Sequence, residues 1–255
     1  MYPVAIEEGT TGMWYGRFID FPGTHARAYE RARLLEELRA ELTFHVRWLE
    51  THAEPVPHIF SPEIEVTEEE RGIRELGESG GEVALFQYDI CRVSPEELDR
   101  ILRFMTYNRD DLLSFVSTIP ENSLSCRPKG KTRTIIDILN HVCNAEEFYV
   151  SRLGKKADML FENYSGMTEE KRDTLPLLER MDTVRKAALE TLREMVMEKG
   201  DAIFTRSEYT TYPGEKWTAH KVLRRFLEHE REHHYNIREY LHLPLRGFDN
   251  NGIFP

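Results

Sequence analysis

The sequence predicts an α+β protein: a small N-terminal β-β-α-β(-β) domain over residues 1–93, followed by an all-α four-helix bundle over residues 94–255. Three observations carry this. Two β-rich stretches flank a glycine-containing turn at the start, four long amphipathic segments fill the second part, and the charge balance changes between them. A chain of 255 residues is long enough for two ordinary domains.

The elements follow in order. Tyr2 to Glu7 and Met13 to Phe21 are rich in Val, Ile, Trp, Tyr and Phe, and Glu8-Gly9-Thr10-Thr11-Gly12 between them has hairpin chemistry. Pro22-Gly23 ends the second strand. Arg27 to about Thr51 reads as a helix, because Leu34, Leu35, Leu38, Leu42, Val46 and Leu49 recur at three- and four-residue spacing. Prolines 55, 57 and 62 make residues 53–62 a connector, after which Ile64 to Val66 and Val83 to Val93 read as strands around the loop Gly77 to Gly81. Ser94-Pro95-Glu96-Glu97 then combines an N-cap, a proline at the first helical position and acids in the first turn, which places the domain boundary here. The long helical segments are roughly Pro95 to Ile119, Thr134 to Leu153, Pro176 to Lys199 and Thr218 to Leu241. Thr134 and Asp137 resemble a capping box, and Gly200 stops the third segment. No internal repeat stands out.

Through Val93 there are 18 acids against 9 arginines and no lysine, a net of −9, whereas the remainder carries 27 acids and 25 bases. An acidic first part and a second part without a basic stripe argue against a nucleic-acid partner. No apolar run approaches the roughly 18 residues of a membrane span, and Met1 to Glu8 shows no signal-peptide pattern, so the expectation is a cytoplasmic protein without a membrane partner. Cys91, Cys126 and Cys143 lack CxxC spacing and read as reduced, buried or half-buried thiols rather than a disulfide framework.

Familiar nucleotide and nucleophile motifs are missing: there is no GxGxxG and no GxSxG, and Gly130-Lys131-Thr132 fails as a phosphate loop because Ser125 stands where its first glycine belongs. The histidines are more informative. His25, His45, His52 and His58 in the first part, and His220 and His242 near the ends of the last helix, lack ligand spacing and read as surface or ordinary polar residues. The inward stripe of the last helix, however, runs Val222, Phe226, His229, His233, Ile237, Leu241, so two imidazoles one turn apart occupy core positions. In the second bundle helix, the stripe Ile138, His141 or Val142, Ala145, Phe148 puts another histidine at its apolar margin. Three inward histidines suit one divalent ion and leave positions open for water or substrate, with His234 as a second-choice ligand. Zinc fits, and nickel, iron and manganese also take imidazole.

His229-Glu230-Arg231-Glu232-His233 also spells HExxH, the zinc signature of metalloproteases. Chance produces such a pentad in about one in twenty chains of this composition. The extended form needs Gly at 236 and His at 239, where Asn236 and Glu239 stand. The protease reading is therefore the weaker one.

The stretches Thr134-Ile-Ile-Asp-Ile-Leu-Asn-His141-Val-Cys-Asn-Ala-Glu146 and Trp217-Thr-Ala-His-Lys-Val-Leu-Arg-Arg-Phe-Leu-Glu-His229-Glu-Arg-Glu-His233 resemble the DinB/YfiT-like family in order and spacing over about 160 residues. Arg133 replaces the aromatic residue often found before the family's second helix. The resemblance implies a divalent-metal site of His141, His229 and His233, homodimerisation, and metal-dependent thiol transfer or hydrolysis. The first part resembles the HicB-like antitoxin fold through Tyr2-Pro-Val-Ala-Ile-Glu-Glu8, Trp14-Tyr-Gly-Arg-Phe-Ile-Asp-Phe-Pro-Gly23 and the leucine-rich helix. The DNA-binding tail of some such antitoxins is replaced here by the bundle, which implies a binding or dimerising module.

The function expected from these readings is a divalent-metal-dependent enzyme, with zinc or nickel at the three histidines and a small-molecule substrate. Metal-bound water or thiolate would be the nucleophile, and Glu146 and Glu230 the proton acceptors or hydrogen-bonding partners of the ligands. No catalytic residue is assigned. Ordinary imidazoles make metal affinity fall below about pH 6.5. The alternative is a non-catalytic metal-binding or interaction protein.

Overall fold

The computed structural model describes residues 1–56, 63–248 and 254. Pro57, His58 and Pro62 of the expected connector lie outside the described residues. The chain forms two compact units, one of residues 1–91 with 203–216, Phe248 and Phe254, the other of residues 92–202 with 217–247.

The first unit holds a four-stranded sheet whose strands, β1 (Tyr2–Gly9), β2 (Trp14–Phe18), β3 (His25–Ala28) and β4 (Ile64–Ile73), lie side by side in the order β3-β2-β1-β4. Strands β1 (Tyr2–Gly9) and β2 (Trp14–Phe18) form the expected antiparallel hairpin, with Val4 opposite Phe18 and Glu8 opposite Trp14. The segment after Pro22-Gly23 differs from expectation. His25–Ala28 is a third strand, β3, paired antiparallel with β2, so helix α1 begins at Arg31 and runs to Thr51. Strand β4 (Ile64–Ile73) then pairs in parallel with β1.

The two-residue period of β1 decides what covers each face. Val4 and Ile6 pack with Trp14, Phe18, Leu34, Leu38 and Leu42 in the core beneath α1. Ala5 packs instead with Ala84 and Phe86. Buried Glu7 shares that side. It pairs with Arg17, whose guanidinium lies 5.1 Å from the Phe86 ring centroid.

Val83 to Val93 is therefore not the strand its composition predicts. Its backbone donors are taken by carboxylates instead of a ladder: Val83 N–H donates to Glu215 (3.2 Å), Ala84 to Glu7 (2.7 Å), Phe86 to Asp89 (3.1 Å), and Gln87 and Tyr88 to Glu68. A single 3-10 turn follows at Tyr88–Ile90. Gly16 lets α1 approach the sheet closely. A Cβ there would lie 2.8 Å from Leu38 Cδ1 and 3.2 Å from both Leu34 Cδ2 and Ile6 Cγ2. Gly16→Val is expected to lose about 1–3 kcal/mol by overpacking, read as a lower midpoint of urea denaturation. An unchanged midpoint would show that α1 is loosely seated.

The second unit is helical, with four long helices: α2 (Pro95–Ser117), α4 (Ile135–Arg152), α7 (Leu177–Lys199) and α8 (Ala219–Tyr240). Short α3 (Glu121–Leu124) joins the first two. The long connection between α4 and α7 is itself helical, as α5 (Lys155–Ser165) and α6 (Glu169–Asp173). Helix α5 ends at Gly166 in the left-handed conformation, φ 67°. No helix among the described residues is long and apolar enough to cross a membrane.

One residue from each long helix meets in a buried quartet. Arg109 of α2 donates to Glu146 of α4 (2.5 Å) and Glu230 of α8 (2.6 Å), and Arg185 of α7 donates to both glutamates. The remaining guanidinium donors reach the backbone reciprocally: Arg109 to Met181 O and Arg185 to Met105 O, each 2.6 Å. Two positive and two negative charges thus neutralise one another where an apolar core would otherwise stand.

The reciprocity exposes an internal correspondence that the sequence pattern hides. Thr134 and Thr218 cap α4 and α8 in the same way, accepting from the N3 backbone at 3.1 Å, and each stands twelve residues before its helix's quartet glutamate. Met105 and Arg109 of α2 likewise match Met181 and Arg185 of α7. By this alignment Arg225 corresponds to His141, and Tyr149 to His233.

Candidate metal centre

Local chemistry starts both helices that carry the histidines. In α4, Thr134 and Asp137 form the expected capping box, with distances of 2.8 and 3.1 Å. Those bonds hold the Asp137 carboxyl below its ordinary pKa. Arg180 of α7 then fixes the α4 surface around His141, donating to Asn140 (3.1 Å) and Asn144 (2.7 Å). Helix α8 is buried along most of its length although it is rich in charge. Its charged residues are accommodated one by one. Glu230 takes the two arginines, Arg231 donates to Asn108 (2.7 and 3.1 Å), and Arg238 donates to Pro244 O (2.7 Å).

On this rigid support the structure brings His141, His229 and His233 together. His229 Nε2 lies 3.2 Å from His141 Nε2 and 3.0 Å from His233 Nε2. Ligand atoms 2.0 to 2.1 Å from a tetrahedral ion are about 3.3 Å apart, so these separations suit one ion held by three nitrogens. The donor set therefore fits a divalent metal. His233 Nδ1 lies 3.2 Å from Asn236 Nδ2. Only with that amide turned end for end, an assignment that exchanges its N and O, does Nδ1–H donate to Asn236 and leave the Nε2 lone pair to the centre.

Burial keeps His141 and His229 neutral, the state a ligand requires. The His141 pKa is pushed down to about 4 by burial and Arg133, against an opposing pull from Glu232. His229 is pushed well below its ordinary value by burial, the two other histidines and Arg225. His141 is half-buried while His229 and His233 are buried, which gives the cluster one more open side.

The other residues singled out by the sequence pattern lie elsewhere or act differently. His234 stacks on Phe115 with ring centroids 5.0 Å apart and is not in the cluster. Glu146 and Glu230, expected to accept protons, are each 2% exposed and committed to Arg109 and Arg185. Burial raises the Glu230 pKa, but the charges and hydrogen bonds of Arg109 and Arg185 outweigh it and leave it lowered, a poor proton acceptor. This removes the base that the HExxH protease reading needs. His25 and His45 are core residues, 3% and 1% exposed, rather than surface ones. His45 is 5.3 Å from the Trp48 ring. Cys91 and Cys126 are exposed rather than buried, and Cys143 is a buried thiol whose pKa is pushed up to about 12 by burial. Among the described residues no Asp, Glu or Cys joins the three histidines.

Sequence reading missed Arg109 and Arg185, although each interrupts an apolar stripe: Arg109 between Met105 and Leu112, Arg185 between Met181 and Ala188. It also missed Tyr149, edge-on to the His229 ring at 5.7 Å, and Glu232, whose charge acts on His141.

Four long helices closed by a neutral charge quartet, with three convergent imidazoles on two of them, define a helix-bundle protein equipped to hold a divalent ion. Residues 105–237 match the family model of the DinB superfamily, just over half of the chain, and the protein belongs to that superfamily, whose members are typically metal-binding. No curated protein and no solved structure shows significant similarity to the chain.

Proposed function

We propose that this protein is a divalent-metal-dependent enzyme of the thiol transferase or hydrolase type, with zinc or nickel held by His141, His229 and His233. The observation that carries the reading is the approach of the three Nε2 atoms at 3.0 and 3.2 Å between neighbours. When bound, the ion supplies Lewis acidity that lowers the pKa of a coordinated water or thiol. The chain's own part is to keep His141 and His229 neutral, orient His233 through Asn236, and leave the half-buried His141 side for a small-molecule substrate. Glu232, half-buried and electrostatically coupled to His141, is the carboxylate proposed to accept the released proton. The proposed division into domains falls between Val93 and Ser94, with the N-terminal domain a HicB-like binding or dimerising module in a homodimeric cytoplasmic protein.

The test is elemental analysis of tag-free protein after incubation with zinc or nickel, beside His229→Ala. About one ion per chain is expected in the wild type, with affinity weakened on the order of a hundredfold or more in the variant. A wild type that takes up neither ion sinks the proposal. The commitment of Glu146 and Glu230 to arginines supports a second reading, a metal-binding protein without turnover. Chelation separates the two: a structural ion's removal lowers the denaturation midpoint strongly, whereas a catalytic ion's removal abolishes turnover in a bundle that stays folded.

A further inference from the structure

Beyond the histidines, many charged side chains are buried in the helical unit, among them the quartet, Arg180 and Arg225. The quartet is internally satisfied; Arg180 is engaged by Asn140, Asn144 and Asp173 but, like Arg225, leaves its Nε–H without an acceptor among the described residues. Arg225 and Tyr149 are distinguished by their place beside the histidine centre. Arg225 is 7% exposed; it donates to Glu228 (2.8 Å) and to the Tyr149 hydroxyl (3.4 Å), and its Nε–H meets no acceptor among the described residues. Tyr149, 6% exposed, uses its oxygen to receive Arg225 and donates its own O–H to no described residue.

Buried donors without acceptors cost stability and are uncommon in folded proteins. Here two of them adjoin the histidine centre. The Tyr149 ring meets His229 edge-on, and the Arg225 charge contributes to keeping His229 neutral. Both are donors, so an acceptor completes them. Glu228 and Glu232 both act electrostatically on Arg225, and Glu228 is shared between Arg224 (3.3 Å) and Arg225 (2.8 Å). The surroundings are aromatic: Phe226 and Trp217 lie 5.6 and 6.1 Å from the Tyr149 ring, and a low-dielectric wall strengthens charge-assisted bonds. The internal correspondence aligns Arg225 and Tyr149 with His141 and His233, so the two groups form matching halves of the α4–α8 interface.

We infer that Arg225 and Tyr149 form an anion subsite beside the three-histidine centre, which takes the carboxylate or other oxyanion of an acidic small-molecule substrate. The guanidinium supplies charge and a directed Nε–H, and the tyrosine a neutral O–H. The inference rests on the metal-centre reading above and narrows its substrate class to acids.

The test uses the full chain loaded with cobalt(II), whose thiolate charge-transfer absorption reports binding of a thiol without turnover. Wild type, Tyr149→Phe and Arg225→Gln are titrated with 3-mercaptopropionate and 2-mercaptoethanol. The thiolate end is common to both probes, and any direct contact of the carboxylate with cobalt contributes alike in all three proteins. The wild type is expected to prefer the acid at least about tenfold more than either variant does, with cobalt content and 2-mercaptoethanol affinity retained. Tyr149→Phe keeps the ring packing and carries the test if Arg225→Gln does not fold. Equal preference in wild type and variant, with cobalt bound, overturns the subsite alone. No cobalt uptake by the wild type overturns the metal centre and the subsite with it.

Discussion

Glu230→Leu is expected to destabilise the helical unit by about 3–5 kcal/mol, a large fraction of the roughly 5–15 kcal/mol that holds a domain folded. The reason is the uncompensated charge left behind rather than the bonds lost. Glu230 accepts from Arg109 at 2.6 Å and Arg185 at 2.8 Å inside the four-helix core, and without it two buried guanidiniums share the single carboxylate of Glu146. Urea denaturation followed by far-UV circular dichroism measures the loss. Replacing the whole quartet, with Arg109→Met, Glu146→Leu, Arg185→Met and Glu230→Leu together, removes the desolvation cost along with the attraction. That variant is expected to be about as stable as the wild type or more stable. A single variant losing less than about 1 kcal/mol would mean that water reaches the quartet.

The metal-free protein is expected to lose stability as pH falls from 7 to 5. An unfolded histidine titrates near pH 6.5, whereas His141 in the fold is held down to about 4 and His229 also lies well below 6.5. Below pH 6.5 the unfolded chain therefore binds more protons than the folded one, and protonation favours unfolding. The effect is absent above pH 7 and grows as pH falls towards the folded pKa. For His141 alone it amounts to roughly 2 kcal/mol by pH 5, and His229 adds to it. Denaturation midpoints of metal-free wild type and His141→Gln at pH 7, 6 and 5 provide the check, with a shallower fall in the variant. Parallel curves would show that His141 is hydrated in the folded state. The same shifts bear on metal affinity: folded imidazoles held below their ordinary pKa are expected to retain an ion somewhat below pH 6.5, which metal content measured at pH 7, 6 and 5 checks.

Much of the helical unit was legible because its signals are local. Ser94 and Thr134 cap the helices they were expected to cap, and the four long periodic segments are the four long helices. The convergence of His141, His229 and His233 was legible for a related reason: imidazoles on apolar stripes must point inward, and only a few inward groups are available to meet them. The β-region was less readable. His25–Ala28 is too short and polar to announce a strand, and Val83 to Val93 carries strand-forming residues whose backbone donors Glu7, Glu68 and Glu215 claim from distant positions.

Periodicity and capping chemistry by themselves determined which segments are helices, which face of each turns inward, and which three histidines lie on those faces. Only the tertiary structure decided what each inward polar group meets. Glu146 and Glu230 looked like free acids beside the histidines because the arginines that neutralise them stand on α2 and α7, at least 37 residues away in the chain. A helix encodes its own faces within a few residues, but the partner of a buried charge depends on which helices adjoin, and that is set by packing the whole bundle.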